Sequence, residues 1–357
     1  MRIALLTYFA ADNYGATLQA YATIKAFERE GHKVELVNYV IPEPENPLFK
    51  KILLLPKYLK FNSFRKKYFK NITKKYNNLE DLRNDPPRAD CYLVGSDQTW
   101  NPEISKHMAK GFFLDFGSKD IFKVTYATSF GKEKWEDTEW INSKETKELL
   151  NQFDLISIRE TSGLNILNDY FSIKNVTNVI DPVLLFENYN DLTGNVKENN
   201  KIIAYKLINS EAFYNICRKT GKYFSTRVQS IGSIRKIDGI DCNYPESPTE
   251  WIKCIAGAKY VITDSFHGAV FSILYRRQFV ICASDPKRIT RIKSLLDILG
   301  IEGRILTEND DAEKYYKLLS TPIDYDTVHL KLKRLREESI NYIKQINIEY
   351  KKRIQNK

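Results

Sequence analysis

Short apolar runs alternating with segments of helical period leave this chain few folds to choose from. It opens with "RIALLTYF", an apolar, β-prone run. "TLQAYATIKAFEREG" follows, with Leu18, Tyr21, Ala22, Ile24 and Phe27 at helical spacing and Gly31 as a stop. "KVELVNYV" then reads as a second strand, and a strand–helix–strand crossover starts a parallel sheet. Further strands are expected at "CYLVGS", "KVTYATSF", "LISIRE" and "VTNVIDPVLLF", which gives an N-terminal α/β domain over residues 1–190. The polar, unperiodic "NDLTGNVKENNK" (190–201) reads as a linker. Beyond it the alternation restarts. Strands are expected at "IIAYKL", "FSTRVQSI", "KYVITDS" and "QFVICAS", and helices at "SEAFYNICRKTG", "TEWIKCIAGA", "GAVFSILYR" and "RIKSLLDILG". These form a second α/β domain over 200–325. Residues 326–357 read as one long helix with Leu332, Leu335, Ile343, Ile346, Tyr350 and Ile354 on one face, expected to pack back on the first domain. The chain's 357 residues are enough for two cores. The expected fold class is therefore α/β, with two Rossmann-like domains facing across a cleft. Such pairs bind ligands between the domains, at the carboxyl ends of the strands.

Charge narrows the function classes. Lys plus Arg number 55 and Asp plus Glu 45, a net charge of +10. That excess is concentrated between Leu48 and Leu79, where ten Lys or Arg occur with no acidic residue. A nucleic-acid groove spreads its positive charge more widely, so no nucleic-acid partner is expected. One aromatic-interleaved helical segment suits an anionic membrane surface or a charged, lipid-linked substrate; the plain alternative is a solvated basic helix. Cys91, Cys217, Cys242, Cys254 and Cys282 show no metal-ligand spacing and read as reduced core thiols. "MRIALLTYF" has no signal-peptide layout, and no apolar run is long enough to span a bilayer. The expected location is the cytoplasm, with peripheral contact at the inner membrane face through the basic segment.

The loops after the strands carry the polar residues. Asp12, Asn13, Tyr14 and Gly15 follow the first strand, and Gly15 would let backbone N–H groups approach an anion. The loop matches neither the dinucleotide nor the P-loop pattern. Ser96, Asp97 and Gln98 lie in "VGSDQTWNP", a polar cluster beside Trp100 suited to hydroxyl groups or to a capped turn. Arg159 emerges from "LISIRE" and is a candidate carboxylate or phosphate ligand, the alternative being an internal salt bridge. Asp181, before Pro182, reads as a strand terminator. In "TDSFHGAVFSI", Asp264 and Ser265 follow a strand and His267–Gly268 open a helix. A lone histidine is more often structural. At a strand-to-helix junction, though, the helix N-terminus disfavours a second positive charge, which suits a ring that exchanges protons near neutral pH. Downstream, Lys287, Arg288, Arg291 and Arg304 are candidate anion partners. His32, His107 and His329 are isolated in sequence, so no metal is expected.

At these residues the chain resembles the polysaccharide pyruvyl transferase family. The resemblance runs from "NYGATLQAYA" through "VGSDQTWNP", "SIRE" and "DPVLL" to "TDSFHGAVFSILYRRQFV" and "RIKSLLDILG". It implies a GT-B-like fold and transfer of the enolpyruvyl-derived group of phosphoenolpyruvate to a sugar diol, with no cofactor. The acceptor would be a lipid-linked or oligosaccharide glycan precursor. By the resemblance, His267 is the catalytic histidine and Arg159 a donor-binding arginine, with Ser265 and Gly268 beside the donor. Well-studied members carry an arginine two positions before the histidine, where this chain has Ser265; Arg288 and Arg291 are the candidates to supply that charge. The acceptor falls to Asp12, Asn13, Tyr14, Gly15, Ser96, Asp97 and Gln98 of the first domain, and the donor to the second. Two other functions share these features: a GT-B glycosyltransferase using a nucleotide sugar, and a non-enzymatic binder of anionic surfaces.

Overall fold

A computed structural model describes the chain except residues 41–47, 234–235, 243–245, 285–288 and 357; residues 48–50 are described as backbone only. In chain order the first elements are β1 (Arg2–Leu6), α1 (Tyr14–Arg29), β2 (Lys33–Tyr39), α2 (Leu48–Tyr68), β3 (Ile72–Tyr76), α3 (Leu79–Asn84) and β4 (Cys91–Val94). Next come α4 (Pro102–Ser105), α5 (Ala109–Phe112), β5 (Phe122–Thr125), α6 (Ser143–Leu150), β6 (Ile156–Ile158), α7 (Thr161–Asp169), β7 (Val176–Asn178), α8 (Pro182–Phe186) and α9 (Asn190–Thr193). The remainder comprises β8 (Lys201–Tyr205), α10 (Glu211–Tyr223), β9 (Arg227–Ser230), β10 (Asp241–Cys242), α11 (Pro248–Gly257), β11 (Tyr260–Thr263) and α12 (Phe266–Leu274). It ends with β12 (Gln278–Ala283), α13 (Thr290–Leu299), β13 (Ile305–Thr307), α14 (Ala312–Ser320) and α15 (Tyr325–Gln355).

The chain divides into two compact units. The first comprises residues 1–44, 68–186 and 333–357; the second comprises 45–67 and 187–332. The basic helix α2 thus groups, up to Lys67, with the second unit rather than with the residues on either side of it. The first unit holds a sheet of order β3-β2-β1-β4-β5 and a small β6-β7 sheet. The second holds a sheet of order β10-β9-β8-β11-β12-β13. All strand pairs in these sheets are parallel. Parallel sheets bury both faces, which is why central strands such as β4 and β12 are near-continuous apolar runs.

Local signals set the helix limits. Asn142 with Glu145 and Ser247 with Glu250 form capping boxes at α6 and α11, and Pro248 occupies the first turn of α11. Gly300, at φ +73°, closes α13 in the left-handed region that glycine tolerates best. One expectation needs correcting. "VTNVIDPVLLF" is a short strand followed by the helix α8, because Pro182 starts a helix well and cannot continue a strand ladder.

Each unit has its own core. In the first, Ala4, Leu6, Val37, Tyr92 and Val94 pack with Met108 and Phe112, while Trp100 stacks on Phe113 in a second cluster. In the second, Ile202, Ala204, Ile262, Val280 and Cys282 from the strands meet Phe213, Cys217, Tyr315 and Leu319. The C-terminal part of α15 belongs to the first unit. Ser339 Oγ accepts from Ile180 N (3.0 Å), Tyr342 OH donates to Thr125 O (2.9 Å), and Arg353 pairs with Asp154. Leu332, Ile343 and Ile346 are buried as the periodicity predicts, whereas Ile354 is exposed. The five cysteines are free thiols.

Candidate functional site

The β11–α12 junction is built by three residues with structural duties. β11 runs between β8 and β12 and ends at Thr263. Ser265 caps α12: its Oγ accepts from Gly268 N (3.3 Å), and its own N–H donates to Thr263 Oγ1 (3.0 Å). A Cβ on Gly268 would lie 2.6 Å from Thr263 Oγ1, so only glycine lets the helix start this close to the strand. Ser265 and Gly268, expected at the donor, are therefore occupied in fixing the helix start. Between them lies His267, 7% exposed, its ring 5.2 Å from that of Phe266 and perpendicular to it. Arg291, in the first turn of α13, places its guanidinium 5.7 Å from the same Phe266 ring. Phe266 thus has both His267 and Arg291 as neighbours. Arg288 and Lys287 lie outside the described residues.

The other histidines sit elsewhere. His32 is buried against Phe27, and burial, then the N-terminal charge, push its pKa down to about 4. His107 packs against Trp140, and the His329 ring meets Ile273 O at 3.1 Å. Arg304, a candidate anion partner by sequence, is buried and donates to Leu318 O (2.6 Å) and to Thr321 O, which clamps the chain before α15. No group of metal-ligating side chains occurs among the described residues.

Beside the junction lies a buried ionic cluster that sequence reading misses. Lys206 follows β8, Asp264 follows β11 and Glu308 follows β13, so all three stand at the carboxyl edge of the sheet. Lys206 Nζ is 2.5 Å from Glu308 Oε1 and 3.5 Å from Asp264 Oδ2, and the lysine side chain has no exposed surface. Leu207 N donates to Asp264 Oδ1 (2.8 Å) and Ser210 Oγ donates to Glu308 Oε2 (2.7 Å). Burial pushes the Asp264 carboxyl above the ordinary carboxylate range, against the pull of the Leu207 N–H and of Lys206. Burial does the same to Glu246, which accepts from Gly232 N (2.9 Å). Tyr205, at the end of β8, has its phenol pushed up by burial, then by Asp264 and Glu246, while a hydrogen bond with Ser265 opposes the rise. A lysine ending the apolar run "IIAYK" was the available signal; its partners, 58 and 102 residues on, only the fold reveals.

The first unit shows a different kind of polar loop. Ser96 is fully buried; its Oγ accepts from Arg159 Nη1 (2.8 Å) and donates to Asp181 Oδ2 (3.2 Å). Arg159 Nη1 also donates to Asp181 Oδ2 (2.5 Å), with Asp97 Oδ1 at 3.6 Å from Nη2 and Glu160 Oε2 at 3.7 Å from Nε. Its side chain is 2% exposed. Burial alone would lower the guanidinium's pKa; Asp181, then Asp97 and Glu160, raise it. A cation so surrounded by carboxylates of its own chain clasps three loops, the internal salt bridge that the sequence left open as the alternative to a donor ligand. Asp181 is likewise a partner in this clasp and also accepts from Val183 N (2.9 Å) at the start of α8. Asp97 sits at φ +83°, and Gln98 packs so close to Gly131 that a Cβ there would lie 1.9 Å from its Oε1.

Of the expected acceptor residues, Tyr14 is 2% exposed, Gly15 is buried, and Asn13 caps α1 by accepting from Ala16 N (3.1 Å). With Ser96 buried, Asp12, Asp97 and Gln98 are those that keep partial exposure and are not helix caps.

A family model described as polysaccharide pyruvyl transferase matches residues 13–286. No curated protein sequence matches the chain. Among solved structures, the glycotransferase of kitacinnamycin is 12% identical, with TM-score 0.52 over 97% of this chain and 98% of that one. The UDP-GlcNAc 2-epimerase from Neisseria meningitidis bound to UDP-GlcNAc is 10% identical, with TM-score 0.51 over 98% and 99%. An Arabidopsis thaliana UGT complexed with UDP-L-rhamnose is 10% identical, with TM-score 0.54 over 99% and 98%. At such identities the likeness is one of fold, and it makes the α/β architecture GT-B-like.

Proposed function

We propose a pyruvyl-transfer function from one premise: the chain belongs to the polysaccharide pyruvyl transferase family. In this reading the pyruvyl group of phosphoenolpyruvate passes to two hydroxyls of a sugar in a cell-surface glycan precursor. The products are a pyruvate ketal and inorganic phosphate. The supporting observation is His267, the one histidine of four at the carboxyl end of a parallel sheet, with Arg291 beside the same phenylalanine.

The chemistry asks for one proton carrier and a cation. A proton added to the methylene carbon makes it a methyl group and leaves the neighbouring carbon electron-poor. One sugar hydroxyl bonds there, the C–O bond to phosphate breaks, and the second hydroxyl closes the ketal. Of the two hydroxyl protons released, one replaces the proton given to carbon and the other leaves with phosphate. His267 serves as acid in the first step and as base toward a hydroxyl in the next. Arg291 holds the donor's negative groups, the task assigned by sequence to Arg288 as well. Ser265 and Gly268 keep the imidazole at a fixed point by capping and close packing. Asp12, Asp97 and Gln98 are the acceptor candidates of the first unit.

The test is incubation with phosphoenolpyruvate and a panel of nitrophenyl and lipid-linked hexosides, followed by phosphate release and mass spectrometry. A pyruvyl adduct is expected. His267→Ala should lower turnover roughly 10²-fold or more while leaving the fold intact. Near-normal turnover in the folded variant would remove His267 from this role. Thermal stabilisation by a nucleotide sugar, with no phosphate release from phosphoenolpyruvate, would replace the reading with glycosyl transfer.

A further inference from the structure

We infer that the exposed face of α2 is a docking surface for an anionic lipid bilayer, a property that does not depend on the pyruvyl-transfer reading. Helical geometry divides α2 into two apolar faces. Phe61 (0% exposed) and Phe64 (4%) are buried and anchor the helix, assisted by Lys60, which pairs with Glu250 of α11 at 2.7 Å. The opposite face carries Ile52, Leu55 and Leu59, spaced i, i+3 and i+7, at 62%, 48% and 54% exposure. Tyr58, at 48%, flanks them. One turn beyond Leu59 the same face becomes polar, with Ser63 and Lys66 exposed, and Lys51 and Lys67 are exposed at its two ends. An apolar row of this kind is rare on a soluble surface unless something covers it.

Charge decides what covers it. α2 has no acidic residue, and Lys51, Lys66 and Lys67 are exposed beside the apolar row, so the occupant presents negative charge beside an apolar layer. An anionic headgroup region over acyl chains has that profile: Lys51, Lys66 and Lys67 meet headgroups while Ile52, Leu55 and Leu59 enter the acyl boundary. A second copy of the chain would set the same basic face against this one. Among the described residues no helix is long and apolar enough to cross a membrane, so the contact is a reversible one at the surface.

Co-sedimentation of the full chain with phosphatidylcholine vesicles, with and without an equal part of phosphatidylglycerol, tests the assignment. Retention on the anionic vesicles is expected to be about tenfold higher at low salt and to fall several-fold near ~0.15 M salt. The combined Ile52→Ser, Leu55→Ser and Leu59→Ser variant should lose about tenfold in retention, with an unchanged unfolding midpoint because all three residues are exposed. Lys66→Glu with Lys67→Glu should abolish the preference for anionic lipid. Equal retention on both vesicle types would overturn the assignment, as would full retention of the serine variant. So would a lipid-free dimer that the serine variant dissociates, which would give the face to a second copy.

Discussion

Arg159 and Lys206 are both buried cations, each following a strand, yet they organise opposite kinds of surroundings. Arg159 is held by Asp181 and Ser96, with Asp97 and Glu160 close by, and those carboxylates have backbone donors of their own at Val183 and Phe130. Two of its hydrogen bonds leave Nη1, and the carboxylates around it outnumber it three to one. Lys206 lies between two carboxylates, and one of them, Asp264, is pushed by burial toward its protonated form. Glu246, likewise raised, and His267 belong to the same unit. The lesson is that a polar residue after a strand is not a site by virtue of its place. What matters is which charges the fold sets around it and which of them it leaves able to take a proton. The first unit uses its polar loop as a clasp, and the second gathers groups able to exchange protons.

The strongest attempt to break this contrast is Arg159→Met. It strands Asp97, Glu160 and Asp181 without a cation and should cost about 3–5 kcal/mol in urea unfolding, with Arg159→Lys recovering part of the loss. A variant of normal stability that has lost only donor affinity would make Arg159 a ligand after all. Lys206→Met should cost less, on the order of 2–3 kcal/mol, and the loss should grow with pH. The sign follows from Asp264. Its folded pKa is raised, so the folded state keeps its proton above the ordinary carboxylate range, and stability falls as pH rises through that window. Without Lys206 the ionised carboxylate loses its nearest cation, so unfolding at pH 8 should show a larger deficit than at pH 5. A deficit independent of pH would mean that Asp264 is ionised throughout. The smallest effect belongs to Ser265→Ala, about 1 kcal/mol from the lost helix cap. It should alter turnover no more than this destabilisation explains. A collapse in turnover at normal stability would place the hydroxyl on the donor.

The sequence was readable where a signal is local. The β11–α12 junction was visible because strand, cap and small-residue helix start follow one another within ten residues, and the C-terminal helix because its apolar period is long. α8 was misread because a short apolar run has no diagnostic period and only Pro182 betrays it. The clasp was hidden for another reason. Arg159 and Asp181 are 22 residues apart, and Ser96 is 63 from Arg159, so no local signal pairs them and Asp181 reads only as a strand terminator. Lys206 was hidden in the same way.

One feature of α15 bears on how the molecule is made. Residues 1–186 include the sheets of the first unit, but Ser339 and Tyr342, which bond Ile180 and Thr125, are synthesised only after the whole second unit. On a ribosome the second unit can close as it emerges. In the first, the Ile180 N–H meets Ser339 Oγ, and Thr125 O gains Tyr342 OH beside Ser157 Oγ, only once α15 has been made. The unit that begins first receives these helix contacts last, and translation that stalls between residues 187 and 332 leaves its sheets complete but without α15.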